Sequence, residues 1–295
     1  MMSRQNETIE LNKPTIDELY ETVEALREWQ HDREVVQLHP GDLGWYGRFG
    51  PQDAVNAIRK WSRDGKIVAV GLLDDYNLLR LAIDPDAEQD TGLAEKMALD
   101  IANPKRGVLP EGPVYVETRS GDLLREKLIE QGWNLGESWT SLRLDLTDEV
   151  EDSGLRIETV TPDEAYTRTV LQRAAFENST FTEESWHAMS EGLPYTDGRC
   201  LIAYDENDDP VAVVTVWSAG PGKPGLIEPL GVSKDHRRKG YGRSIALAGA
   251  NVLRGMGSSS VVVCTDSSNK GAVATYKSAG FEELPEVKDL RRDKN

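Results

Sequence analysis

Cysteine is scarce in this chain: Cys200 and Cys264 are the only two in 295 residues. They stand far apart, without the paired spacing of a zinc site, and read as ordinary thiols in a reducing compartment rather than a disulfide framework. Histidine is almost as rare, with four in all. Neither His187 nor His236 has a partner at metal-ligand spacing, so no metal is expected, and His39 ahead of Pro40 reads as a turn residue. No apolar run approaches the roughly 18 residues that span a bilayer, and the opening MMSRQNETIELNKPTIDELY has no apolar core of signal-peptide length. A cytoplasmic protein with no membrane partner is expected. Positive charge is also short, with 34 Lys and Arg against 51 Asp and Glu for a net −17, of which −12 falls in residues 1–150 and −5 in 151–295. That surface repels nucleic acid and suits a cationic small molecule, although solubility alone also accounts for it.

What is present is an internal repeat. NLLRLAIDPDAEQDTGLAEKMALDIA parallels GLIEPLGVSKDHRRKGYGRSIALAGA at an offset of 149, and VYVETRSGDLLREKLIEQGW parallels VVVCTDSSNKGAVATYKSAGF at an offset of 148. Each copy is expected to open with a helix, TIDELYETVEALREWQ in one and TPDEAYTRTVLQRAAF in the other. A hairpin-like set of strands follows, GKIVAVGLL with YNLLRLAID and RCLIAYDENDDPVAVVTVW with GLIEPLGV; then come helix, strand and helix. This order predicts a mixed α/β sheet with helices on both faces, in two domains at residues 1–147 and 155–295 joined by an acidic linker at 148–154.

The sharpest local feature is HRRKGYGR, a basic glycine-rich loop between a strand and a helix of an acidic chain. Such a turn presents backbone N–H groups and the positive end of a helix, a ready site for phosphate. Neither GxxxxGK[ST] nor GxGxxG with a following acid is present, so a P-loop is not expected, and an enzyme using the loop for ATP is a further reading that lacks a Walker lysine. An ordinary solvated helix start remains the alternative.

The pattern Arg237-x-x-Gly240-x-Gly242 resembles the pyrophosphate loop of the GNAT superfamily of acetyl-CoA-dependent N-acyltransferases, and Asn269 and Tyr276 in SSNKGAVATYKSAGF match that family's later asparagine and tyrosine. The first half resembles the same fold more weakly, so the whole is similar to a tandem GNAT protein of the actinobacterial, mycothiol-synthase-like kind. The resemblance implies that Leu230, Gly231 and Val232 offer backbone hydrogen bonds to the pantetheine arm. Arg237, Arg238, Lys239, Gly240, Tyr241, Gly242 and Arg243 would hold the pyrophosphate, and Asn269 would contact the cofactor. It further implies that Glu228 is the base and Tyr276, near the thioester sulfur, the acid. An alkylamine of pKa about 10 loses roughly 4 kcal/mol by reacting as its neutral form at pH 7, so a base is needed. No Cys, Ser or His stands out as a nucleophile, which points to direct attack by a small-molecule amine on the thioester. The other readings are a core tyrosine at Tyr276, a solvent-facing Glu228, and a non-catalytic acyl-CoA-binding protein. Phe176, Phe181, Trp186, Tyr195 and Trp217, with Trp45, Tyr46 and Phe49 in the first half, are candidates for core or acceptor groove. Monomer and homodimer are both open.

In the first copy Glu88, Thr91 and Leu93 stand opposite Arg237, Gly240 and Gly242, and a one-residue shift yields Gln89-x-x-Gly92-x-Ala94 in acidic surroundings. Gly121 and Leu128 stand opposite Asn269 and Tyr276. The first half is expected to be catalytically silent.

Overall fold

The computed structural model describes residues 8–32 and 37–293. In chain order the first half runs β1 (Ile9–Asn12), α1 (Leu19–Trp29), α2 (Pro40–Tyr46), α3 (Pro51–Ala57), β2 (Ile58–Arg63), β3 (Lys66–Asp75), β4 (Leu78–Ile83), α4 (Thr91–Ala102), β5 (Val114–Glu117), α5 (Asp122–Glu130) and β6 (Asn134–Asp145). The second runs β7 (Arg156–Thr159), α6 (Ala165–Ala175), α7 (Glu183–Ser190), β8 (Gly198–Tyr204), β9 (Pro210–Trp217), β10 (Gly225–Val232), α8 (Tyr241–Gly255), β11 (Ser260–Asp266), α9 (Lys270–Ser278), β12 (Glu282–Glu283) and β13 (Val287–Arg292). No helix among the described residues is long and apolar enough to cross a membrane.

The leading helices start where the sequence says they should. Thr15 and Glu18 exchange side-chain to backbone hydrogen bonds ahead of α1, and Thr161 and Glu164 form the same Thr-x-x-Glu capping box ahead of α6. Leu19, Val23 and Leu26 then recur at helical spacing and bury one face of α1. The copies open not with these helices but with the short strands β1 and β7, each pairing along the next strand of its half. Strand β2 was also hidden. Its Arg59 and Lys60 are buried, which erases the polar and apolar alternation, and Arg59 is satisfied instead by the carbonyls of Asn56, Ile58 and Gly107.

All strands join one mixed sheet in the order β1-β2-β3-β4-β5-β13-β6-β11-β10-β9-β8-β7, with β12 alongside β6. The order is palindromic with respect to the repeat, and its two central strands are exchanged. β6, from the first half, pairs with β11 from Ser260 opposite Asp145 to Asp266 opposite Trp139. β13, at the C-terminal end, lies between β5 and β6, and its Leu290 is fully buried among the first half's Val114, Val116 and Leu124. Apolar layers cover both faces: α4 and α5, and α1 to α3, in the first half, and α8 and α9, and α6 and α7, in the second.

Candidate functional site

The parallel pair β10 and β11 is joined only at Gly225 opposite Val261 and Leu226 opposite Val262. Beyond that the strands part. A bulge between Ile227 and Leu230 follows, and Leu230, Gly231 and Val232 pair with β9 on one side only. Their other edge faces the opening wedge, a backbone ladder free to take an extended polar chain. Where β10 ends, the chain turns through Arg237–Gly240 into α8. Gly240 sits at the N-cap with φ 88°, a left-handed conformation that favours glycine and leaves the helix start without a capping side chain.

Among the described residues, none of the backbone N–H groups of Arg238, Lys239, Gly240, Tyr241, Gly242 and Arg243 donates to a protein acceptor. Six neighbouring donors at the positive end of a 15-residue helix make an anion cradle. Gly242 lies against Thr275 of α9, and Tyr241 is half-buried beside His236. The basic side chains divide. Arg238 and Lys239 are exposed at the cradle, whereas Arg237 donates to the Ala175 carbonyl at 2.7 Å and Arg243 to Ser278 at 2.8 Å and to Glu151. Those two guanidiniums tie down α6, α9 and the linker. Asn269 caps α9 through Oδ1, which accepts from Ala272 N–H at 3.1 Å, so its amide nitrogen is the atom left to donate outward.

Tyr276 projects from α9 into the core and packs on Phe281 at 5.5 Å between ring centroids. It is buried. Burial, together with the nearby Glu228 and Cys264, pushes its phenol above the usual range, so it keeps its proton. Glu228 lies at the β10 bulge, its side chain 30% exposed. Desolvation in a pocket shared with Asp42, Asp74 and Glu117 pushes its carboxyl up to about 8, against the opposing pull of Arg80.

Sequence reading missed the residues around Glu228 because they come from the other half. Arg80 of β4 reaches Asp42 at 3.0 Å, Glu117 at 3.1 Å, Asp74 at 3.3 Å and Glu228 at 3.9 Å, and Arg119 holds Glu117 at 3.0 Å. A charged residue inside the apolar run LLRLAI was the available signal. Helix α2 also crosses over: Gly41 and Gly44 lie so close to the Trp217 ring that an added Cβ would sit 2.4 and 2.3 Å from it. Trp217 in turn donates its indole N–H to the Glu228 carbonyl at 2.8 Å, fixing the bulge. His39 is a helix cap rather than a plain turn residue. It accepts from Gly41 N–H and bonds across the halves to the Pro224 carbonyl, and burial pushes its imidazole down to about 4. Trp45 stacks on Phe181 at 5.5 Å, and Arg48 lies over Trp45 and Phe49, so these rings form a wall shared by both halves. Trp186 and Trp217 are core. An apolar cavity of about 480 Å³ lies behind α2, lined by Leu43, Tyr46 and Leu72 with Ala188 and Pro194.

The corresponding wedge of the first half is filled by its own chain. β4 and β5 part after Arg80 opposite Glu117, and the next carbonyl, that of Leu81, accepts from the backbone N–H of Leu38 at 3.1 Å. Gln37 is clamped beside it by Trp29 O and Ser120 Oγ. At the start of α4 the Asp90 carboxylate takes the Leu93 N–H at 2.9 Å and pairs with Arg63 at 2.6 Å, placing negative charge where an anion would bind.

Residues 166–281 match the Acetyltransferase (GNAT) family. Over 85 residues the chain is 32% identical to a mycothiol acetyltransferase of Renibacterium salmoninarum, a stretch covering 28% of this chain and 25% of that protein. A GCN5-related N-acetyltransferase from Sphaerobacter thermophilus superposes with a TM-score of 0.56 at 18% identity over 96% of this chain and 95% of its own. A tandem GNAT protein from the clavulanic acid biosynthesis pathway superposes with a TM-score of 0.61 at 16% identity over 97% and 98%. The class is therefore a tandem GNAT fold. Within it, residues 166–281 are the stretch that matches the Acetyltransferase (GNAT) family.

Proposed function

We propose that the protein transfers an acetyl group from acetyl-CoA directly to a primary amine of a small molecule, using the wedge of its second half alone. The observation that carries this reading is the contrast between the two wedges, one with six unpaired N–H donors at a helix start and an open strand edge, the other closed by Leu38 and Asp90. Bound acetyl-CoA would supply an electrophilic thioester. The chain's own part is to hold the pyrophosphate at Arg238–Arg243 and the extended arm along Leu230–Val232, with the Asn269 amide near the start of α9. The Glu228 carboxylate takes the proton of the incoming ammonium, directly or through water, and the Tyr276 hydroxyl donates to the departing thiolate. The acidic surroundings of Glu228 favour a cationic acceptor.

Calorimetric titration of the full chain with acetyl-CoA is expected to show one site. Two sites of similar affinity would remove the assignment of a closed first half. Release of free thiol over a panel of amines tests transfer itself, and binding without thiol release from any acceptor would leave an acyl-CoA-binding protein.

A base must be deprotonated to act. With its carboxyl at about 8, Glu228 is mostly protonated at pH 7, so kcat/KM should climb with pH through about 8 and level off above it. Glu228→Gln should flatten that limb and lower the plateau by about 10²-fold or more. A rising limb that survives intact in Glu228→Gln assigns the base elsewhere.

A further inference from the structure

At the 149 offset of this segment Arg80 stands opposite Pro229, the neighbour of Glu228, so the two halves place opposite charges one residue apart in the repeat. Each lies where a wedge opens. Arg80 forms the last β4–β5 pair with Glu117, and Glu228 follows the last β10–β11 pair by two residues. The two side chains meet across the junction at 3.9 Å. Arg80 is buried, and its guanidinium is shared among Asp42 from α2, Asp74 from β3, Glu117 from β5 and Glu228 from β10. Four carboxylates thus surround it, and Arg119 pairs with Glu117 and also acts on Asp42. Arg48, after α2, acts on Asp74 and Glu228, and Tyr276 on α9 is close enough to feel Glu228.

We propose that the closed first half takes part in the reaction through Arg80, a positioning residue that holds Glu228 in place and favours its charged form, with Asp74 as the opposing charge. This rests on the reading of Glu228 as the base. A buried guanidinium beside a carboxylate favours the ionised form, and a like charge in the same pocket disfavours it, so the two neighbours act in opposite directions. Glu117 holds the guanidinium at Nε, while Asp42, Asp74 and Glu228 all approach the same Nη1, Glu228 with the longest of the four contacts. The absence of a phosphate loop from the first copy and the buried charge on β4 then have one explanation: this half binds no donor and forms a wall of its neighbour's site.

The test is direct titration of Glu228 in the full chain without substrate, following the protonated-carboxyl infrared band that is lost in Glu228→Gln. Arg80→Gln is expected to raise its midpoint by about 1–3 pH units, and Asp74→Asn to lower it by about one. Arg80→Lys keeps the charge and should restore most of the shift. Thiol release with an amine found in the panel should move its pH limb in the same directions. Asp74 is partly exposed, so Asp74→Asn serves where Arg80→Gln fails to fold. Midpoints that stay in place, or move together in one direction, overturn the proposal. Full activity in Glu228→Gln, with the midpoints shifted as expected, overturns instead the assignment of Glu228 as base.

Discussion

Tyr276→Phe is expected to lower kcat by about two to four orders of magnitude while leaving the KM for acetyl-CoA nearly unchanged. The ring keeps its contact with Phe281 and its place in the apolar cluster beneath α8 and α9, so the change removes one oxygen and its proton without opening a cavity. A buried hydroxyl normally loses stability when left unpaired. The Tyr276 oxygen is not among the buried side-chain oxygens left without a partner, so replacing the hydroxyl with hydrogen should change stability little. A phenol held above its usual range stays protonated through the whole working pH, which suits a donor to a thiolate of pKa near 8.5 and would defeat a base. Thermal unfolding of the variant should match the native protein while single-turnover thiol release collapses. Native kcat in Tyr276→Phe would falsify the acid assignment, and a matched loss of Tm and activity would reduce Tyr276 to a core residue.

Removing Val287 and everything after it is expected to unfold the first half, although the cut is made at the opposite end of the chain. β13 pairs on both sides, with β5 and with β6, so its loss leaves two strand edges unpaired in the middle of the sheet. Leu290 is fully buried, and Arg292 donates to the carbonyls of Ala102 and Pro110 while lying over the Trp133 ring. Burial of one leucine is worth about 1.5–3 kcal/mol, and each net backbone hydrogen bond about 1 kcal/mol. The sum exceeds about 5 kcal/mol, a large part of the stability of a domain of this size. Hydrogen exchange should show protection lost first at Val114–Glu117 and in α4 and α5, with α8 and β9 affected less. Leu290→Ala is the graded version, expected to cost about 2–5 kcal/mol with the same pattern. A truncated chain with unchanged Tm and unchanged protection at β5 would show that the exchange contributes nothing to the first half.

Reading by local pattern reached some elements and not others for identifiable reasons. TIDE and TPDE announced two helix starts because a capping box is completed within four residues. HRRKGYGR announced an anion cradle because glycine at φ 88° and a run of unpaired N–H groups are properties of a few consecutive residues. The same text left open where the side chains of Arg237 and Arg243 end. Charge in the sequence does not say where a flexible side chain ends, and theirs end on the carbonyls of Ala175 and Ser278. IRKWSR was invisible as a strand, since its buried Arg59 finds its acceptors in Asn56 and in the distant Gly107.

The sequence by itself determined the period of the repeat, the alternation of helices and strands within it, the tandem GNAT class and the one basic glycine-rich loop before a helix. These follow from spacing, capping and backbone freedom, which act over a few residues. Only the tertiary structure decided that the halves trade β6 and β13, that Leu38 closes the first wedge, and that Arg80 stands 3.9 Å from Glu228. A strand edge accepts any neighbour whose pleat and register agree, and a Coulomb interaction depends on distance in space. Neither is written in the order of residues along the chain.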